Sequence, residues 1–548
     1  MTAAPAIPHG NHRPPLRLLL VAVLAFAFGA YAYATARFAG HWVDSDTSML
    51  TRAIQSVIDS RSILAPADIY SNGFTYQAVT AFIVELTGLS VQQIQQWLYP
   101  LGTGLLALVV FAAYRALLGS SASALLGTLI LFMQPDFLFV TWRGSHERFT
   151  WALALALLYL LAKSARRDGL IPYGVLYHFT AFAFVSCNAF FASSYIAGLA
   201  FSFMAGAAIF GLRALFGRGN SHDAHFRRYL QRLMYITLAT GVLLYLFFVH
   251  IYPPAVHLLY AFDSLLARVA ALLLNYDQRL VANPYAFVSS TWIDVRIYVA
   301  LVGLSLMIAG LSFLVWLPGI FRLIFHRHLD IRSGTNLLVW LLYPVFALQI
   351  ALALGADQAE SGGNLQIRLF TPLMIVAVPL VALGLRAVWR RIHGRIYRGL
   401  LGLLLTGLVL LFSAASLLKF TNEPVLSNNW VFTLETERRA AEWALAASVD
   451  TPVWTGPDWR ITLYLIMNHT RLPAFRTHYN AVPIRTATLF VVSAFEDVRW
   501  KRQGRAMPPL VNHLLVYDNG TVKVYQKRTG IAIDARAAAG GTVTAGGR

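Results

Sequence analysis

The residues of this chain best equipped for chemistry stand in four places, each beside a long apolar stretch. The first is His41-Trp42-Val43-Asp44-Ser45-Asp46-Thr47. Its two carboxylates lie two residues apart. On a helix that spacing splays them by about 200°, and in an extended loop they point to opposite sides. Both reach one cation only where the loop bends, and carboxylate oxygens then suit Mg²⁺ or Mn²⁺. The structural alternative for Asp46 is a helix cap, because helical spacing begins near Thr47 and continues through Ile54 and Ile58. The second place is Arg143-Gly144-Ser145-His146-Glu147-Arg148, shortly after Pro135-Asp136-Phe137. Arg143 carries the planar fork that holds a phosphate through two bonds. Gly144 permits a tight turn. Glu147 can join a metal shell or act as a base, and the bland role for His146 is a hydrogen-bonded interfacial imidazole. The third is the loop Gly355–Phe370, in which Arg368 stands at the start of an apolar stretch. Arg368 is either a snorkelling side chain or an anion clamp. The fourth, Tyr252–Thr291, is aromatic and amphipathic, and reads as an interfacial cap or an acceptor groove.

The apolar stretches must position these groups. Of the 548 residues, 57% are hydrophobic and 13% charged, against about 25% charged in an ordinary soluble domain. That excess cannot be hidden in one soluble core, so the sequence predicts a polytopic α-helical membrane protein. Stretches of about 20 apolar residues suffice to cross the hydrocarbon. Eleven are read, at roughly 17–36, 99–118, 122–140, 149–163, 171–191, 193–214, 233–252, 297–318, 334–354, 368–386 and 399–418. Phe74–Thr87 is too short and reads as re-entrant or interfacial. The first stretch reads as an uncleaved anchor, although Ala34-Thr35-Ala36 resembles a cleavage site. The single cysteine, Cys187, excludes an intramolecular disulfide and Cys-rich metal sites.

The net charge of +19 suggests nucleic acid until its placement is considered. One alternating set of loops holds nineteen basic residues and three acids, while the other, up to Phe420, holds ten basic residues and twelve acids. The positive-inside rule assigns the first set to the cytoplasm. The charge is then a topology signal, with no nucleic-acid partner implied. An inner (plasma) membrane protein with a cytoplasmic amino terminus is expected, and Asp44, Asp46, Glu147 and Arg368 share the opposite face. After Lys419 the composition changes. A polar linker, a helix with Ala440, Trp443, Ala444 and Ala447 on one side, a buried strand Leu489–Ser493 and a hairpin over His513–Gln526 turning at Asp518-Asn519-Gly520 predict a small extracytoplasmic α/β domain. The expected division is 1–420 for the membrane part, 421–529 for this domain, and an Ala/Gly-rich disordered tail over 530–548.

Together, the acidic loop after the first stretch, Tyr70-Ser71-Asn72-Gly73-Phe74, the charged turn after the third and the carboxyl-terminal domain resemble the GT-C superfamily of integral membrane glycosyltransferases. The resemblance covers the whole architecture but rests on few sharp motifs, and the Trp-Trp-Asp motif of oligosaccharyltransferases is missing. It implies transfer of a hexosyl or pentosyl group from a polyprenyl-phosphate-linked donor to an extracytoplasmic glycan, lipid or protein. It implies that Asp44 or Asp46, with Glu147, is the catalytic acid group and the ligand set of a divalent cation, Mg²⁺ or Mn²⁺. Arg143, Arg368 and His146 would meet the donor phosphate. A lipid-linked sugar transporter and a metal-independent glycan polymerase or ligase are the competing functions. The near absence of Asp, Glu, Lys and Arg from the middle of the apolar stretches speaks against translocation.

Overall fold

The structure is a computed structural model. It describes residues 16–38, 45–64, 72–164, 170–216, 223–256, 295–325, 335–358 and 365–421, and then 433–447, 453–455, 489–494 and 512–528, with a few isolated positions elsewhere. The chain divides into two compact units, Met1–Asn429 and Trp430–Arg548.

The first unit is helical. In chain order it contains α1 (Leu16–Phe38), α2 (Ser45–Ser60), α3 (Thr75–Thr87) and α4 (Val91–Leu118, with a π turn and a 3₁₀ turn in its first half). There follow α5 (Ser121–Phe132), α6 (Pro135–Trp142), α7 (Glu147–Ser164), α8 (Leu170–Cys187) and α9 (Ala189–Leu215). The unit continues with α10 (Asp223–Leu246, extended by a π turn to Ile251), α11 (Val295–Phe325), α12 (Thr335–Gln358), α13 (Leu365–Arg391) and α14 (Arg395–Thr421). Each of the eleven expected apolar stretches falls on helix, but among the described residues only 7 helices are long and apolar enough to cross a membrane, or 8 with one bent pair. The expected third stretch, 122–140, is that pair. Helix α5 stops at Phe132, α6 starts at Pro135, and the two axes differ by 74°. Proline has no amide hydrogen and its ring collides with the preceding turn, so the helix ends before it. The exposed carbonyls at the break find partners: Gln134 Nε2 donates to Ile130 O at 3.3 Å, and Ser416 Oγ donates to Met133 O. Helix α13 is the centre of the unit, with residues 371–382 all buried. Helix α14, by contrast, exposes most of its apolar surface, as a lipid-facing helix does.

Two short helices at one end of the bundle hold the site in place. The amphipathic α2 docks Leu50 and Ile54 against Tyr76 and Ala81 of α3, Val91 of α4 and Cys187 of α8. Helix α3 is itself clasped to the α8–α9 junction. The Phe74 amide donates to Ser186 O and the Ala189 amide to Asn72 O, both at 2.7 Å. Gly73 lies between them at φ +151°, and a Cβ there would stand 2.2 Å from Ser186 O, so only glycine permits the clasp.

The second unit carries α15 (Glu435–Ala447) and a 4-stranded sheet. Its strands are β1 (Val453–Trp454), β2 (Leu489–Ser493), β3 (His513–Asp518) and β4 (Val522–Lys527), in the order β1-β2-β4-β3. Strands β1 and β2 are parallel and the other pairs antiparallel. Helix α15 buries Ala440, Ala441 and Ala444 over Leu489, Val491 and Val524. Ala447 is exposed rather than on the buried side, and Trp443 stacks on Tyr517 at 5.0 Å. The expected tail over 530–548 and most of Tyr252–Thr291 lie outside the described residues.

Candidate functional site

The site is built around the turn that joins α6 to α7. Helix α6 ends when the Arg143 amide bonds to Phe139 O, and Arg143 itself leaves the helix with extended backbone. The last carbonyls of α6 would be left without partners at this point. Arg148 supplies them: its guanidinium donates to Trp142 O and to Arg143 O, the latter at 2.5 Å from Nη2 and 3.1 Å from Nε. A cation also suits the negative end of the α6 dipole, and this one lies over the Tyr99 ring, 5.3 Å from its centroid. Ser145 Oγ accepts the Glu147 amide at 3.3 Å and so helps start α7, and the Thr150 hydroxyl and amide both donate to His146 O. Six residues thus end one helix, turn and begin the next. Few positions are left for the side chains of Arg143 and Glu147.

Those two side chains meet. Arg143 Nη2 is 2.6 Å from Glu147 Oε2 and 3.1 Å from Asp46 Oδ2. Asp46 comes from the first turn of α2, inside the helix rather than capping it, where an acid also favours the helix dipole. Its approach depends on Gly144. A Cβ at Gly144 would stand 2.6 Å from both Gln95 Oε1 and Thr47 Cγ2, so the missing side chain is the space that α2 and α4 fill. A buried polar chain fixes the same corner. Tyr76 donates to Gln95 Oε1 at 2.6 Å, Gln95 Nε2 to Thr51 Oγ1 at 3.1 Å, and Thr51 Oγ1 to Thr47 O at 2.7 Å. On the other side, Tyr31 of α1 shares a hydrogen bond with Thr141 at 2.6 Å, and Trp142 Nε1 donates to Thr35 at 3.4 Å.

Burial separates the two acids. The Glu147 side chain is 5% exposed and the Asp46 side chain 31%. Glu147 is therefore enclosed, while Asp46 keeps about a third of its side chain exposed. Burial works to raise the Asp46 pKa, but the positive charge of Arg143 above all, with that of Arg368, offsets it, and the carboxyl is held below its ordinary range. His146, in the turn, is driven the other way. Its burial pushes the imidazole down to about 4, against the pull of Glu147 and Asp46. It is neutral at pH 7, and its carbonyl anchors Thr150 and accepts from Cys187 Sγ at 3.6 Å.

The structure therefore brings Asp46, Arg143, His146 and Glu147 together, and puts exposed Arg368, near the start of α13, within electrostatic reach of Asp46 and His146. Asp44 lies outside the described residues. His146 is enclosed, 5% exposed, and burial disfavours its charged form. The expected divalent-cation set meets an obstacle. Among the described residues no group of three His, Cys, Asp or Glu side chains is placed to hold a metal ion, and the two acids that converge already share Arg143 Nη2. These described residues do not offer a divalent cation a ligand set. Sequence reading gave no role to Arg148 or Gln95. Arg148 stood in view inside the charged turn, and Gln95 was signalled by the unusual Gln92-Gln93-Ile94-Gln95-Gln96 run opening an apolar stretch.

No protein-family model and no curated protein sequence matches the chain. Solved structures do. The Archaeoglobus fulgidus oligosaccharyltransferase in its apo form aligns at a TM-score of 0.54 with 13% identity, over 95% of this chain and 76% of its own. The archaeal oligosaccharyltransferase AglB from Archaeoglobus fulgidus, in complex with an inhibitory peptide and a dolichol-phosphate, aligns at 0.51 with 13% identity, over 94% and 75%. The Archaeoglobus fulgidus enzyme in complex with Zn and sulfate also aligns at 0.51 with 13% identity, over 93% and 73%. Likeness at this identity establishes the fold: this chain shares the helical fold of these archaeal oligosaccharyltransferase structures.

Proposed function

We propose that this chain is a membrane glycosyltransferase that moves a sugar from a polyprenyl-phosphate-linked donor to an acceptor on the extracytoplasmic side. The observation that carries the reading is the Asp46–Arg143–Glu147 cluster. One partly open carboxylate, one cation and one enclosed carboxylate meet where the charge pattern predicts the outer membrane surface. The fold neighbours support it: one of them was solved with a dolichol-phosphate and a peptide.

In this reading the acceptor hydroxyl attacks C1 of the sugar in a single displacement. A C–O bond forms to C1 as the bond from C1 to the phosphate oxygen breaks, and the bonding pair leaves on the lipid phosphate. The acceptor proton passes to Asp46, and the configuration at C1 inverts. Asp46 takes the base role because it is the more exposed of the two acids, 31% against 5% for Glu147. Arg143 and Arg368 meet the charge that develops on the leaving phosphate, the place where fixed cations lower the barrier. Glu147 is a positioning residue: through its 2.6 Å pair it aims the Arg143 guanidinium. The acceptor is a cell-envelope glycan, a lipid or a protein, and the carboxyl-terminal unit faces the same compartment.

The test is envelope analysis of a deletion strain carrying the wild-type gene or Asp46→Asn. The variant is expected to lose one sugar from its glycans or lipids, to accumulate the lipid-linked donor, and to transfer about 10²–10⁴-fold more slowly in membranes. An unchanged sugar profile in the deletion strain itself would refute the glycosyltransferase reading.

A further inference from the structure

The two described acids of the site share one cation, and that cation belongs to the chain. Arg143 Nη2 is 3.1 Å from Asp46 Oδ2 and 2.6 Å from Glu147 Oε2. A divalent ion drawing on the same two oxygens would sit about 2.0–2.6 Å from each. It would have to displace that nitrogen. The guanidinium is not loosely held. Its residue is anchored at both backbone ends, by the amide bond to Phe139 O and by Arg148 and the Ser145 amide on its carbonyl. Its Cζ lies 5.6 Å from the centre of the Phe139 ring. The side chain is mostly enclosed, and Arg148 adds a second fixed cation behind it. A further two positive charges would enter beside Arg143, which already pairs with both carboxylates, with Arg368 also acting on Asp46. Such like-charge crowding in a poorly solvated pocket is costly.

We propose that Arg143 stands in the position a divalent cation would take between Asp46 and Glu147, so that this site works with a guanidinium in place of a metal. The catalytic consequence rests on the glycosyltransferase reading above. The exclusion of cations from the acid pair does not, because it follows from the geometry of the free protein. An arginine is charged at every working pH, cannot be removed by a chelator, and is aligned before substrate arrives. Transfer should then proceed unchanged in EDTA.

The proposal is tested on the purified full-length protein in lipid nanodiscs, with Mn²⁺ as the probe and electron paramagnetic resonance as the readout of free ion. Wild-type protein should leave the Mn²⁺ signal as free ion. Arg143→Gln, which empties the position and keeps both acids, should bind one Mn²⁺ per chain at least about tenfold more tightly than wild type. Arg143→Lys, which keeps a cation there, should stay silent. Tight Mn²⁺ binding by wild type that disappears in Asp46→Asn or Glu147→Gln would overturn the proposal. So would a folded Arg143→Gln that gains no binding, because the acids would then be no cradle for a cation. Should Arg143→Gln fail to fold, wild type decides alone: bound Mn²⁺ overturns the proposal, and silence with EDTA-resistant transfer upholds it. A wild-type protein with no transferase activity would refute the function while leaving the Mn²⁺ result to stand by itself.

Discussion

Two ion pairs in this chain have the same sequence spacing and opposite surroundings. Arg143–Glu147 and Glu435–Arg439 both join residues four apart, at 2.6 and 3.2 Å. In the first, the side chains are 16% and 5% exposed. In the second, on α15 of the carboxyl-terminal unit, they are 71% and 51% exposed. Water already solvates the second pair, so closing it gains little. The first pair is enclosed, and removing either member leaves the other charge in a medium that solvates it badly. Spacing alone therefore says little about what a pair does. The surroundings decide it: the first pair is enclosed and the second stands in water.

The comparison can be broken most forcefully at Glu147. Glu147→Gln is expected to cost about 3 kcal/mol, since Arg143 loses its shorter partner. Glu435→Gln should cost less than about 0.5 kcal/mol. Thermal unfolding of both variants in the same detergent reads the difference, and equal shifts would show that enclosure does not separate the two pairs. The next effect is a pH dependence. His146 titrates at about 4 in the folded protein and near 6.5 when unfolded. Between these values the unfolded state holds more protons, so stability is complete above about pH 6.5 and falls as pH drops toward 4. The loss is on the order of 3 kcal/mol. His146→Gln should flatten that part of the melting-temperature profile, whereas an unchanged slope would assign it to other groups. Gly144→Ala follows, at roughly 1–3 kcal/mol, because the added methyl meets Gln95 and Thr47. Transfer activity should fall further than stability there, because α2 and with it Asp46 must move. An Ala variant with wild-type activity would show that the close approach is not needed.

Much of this was legible in the chain itself. The apolar stretches announced a helical membrane protein, and the alternation of Arg-rich and neutral loops led to the expectation that Asp46, Glu147 and Arg368 share one face. The hairpin at Asp518-Asn519-Gly520 was equally plain, because alternation and turn residues are local signals. The 74° break was less so: Pro135 stood in the middle of a stretch apolar enough to read as one span. Asp46 posed a different difficulty. Spacing allowed a helix cap, a metal ligand or a base, and no local pattern states which residue from another helix will lie opposite.

The sequence by itself determined composition, helix periodicity and which loops carry the excess positive charge, because each is a property of short segments or of their sum. Tertiary structure alone decided that Arg143 stands between two carboxylates ninety-seven residues apart at one end and four at the other. That contact depends on Gly144 lacking a side chain, on Arg148 closing the end of α6 and on Gln95 bracing α2. It is set by packing among distant elements, where a few tenths of an ångström separate an ion pair from a clash.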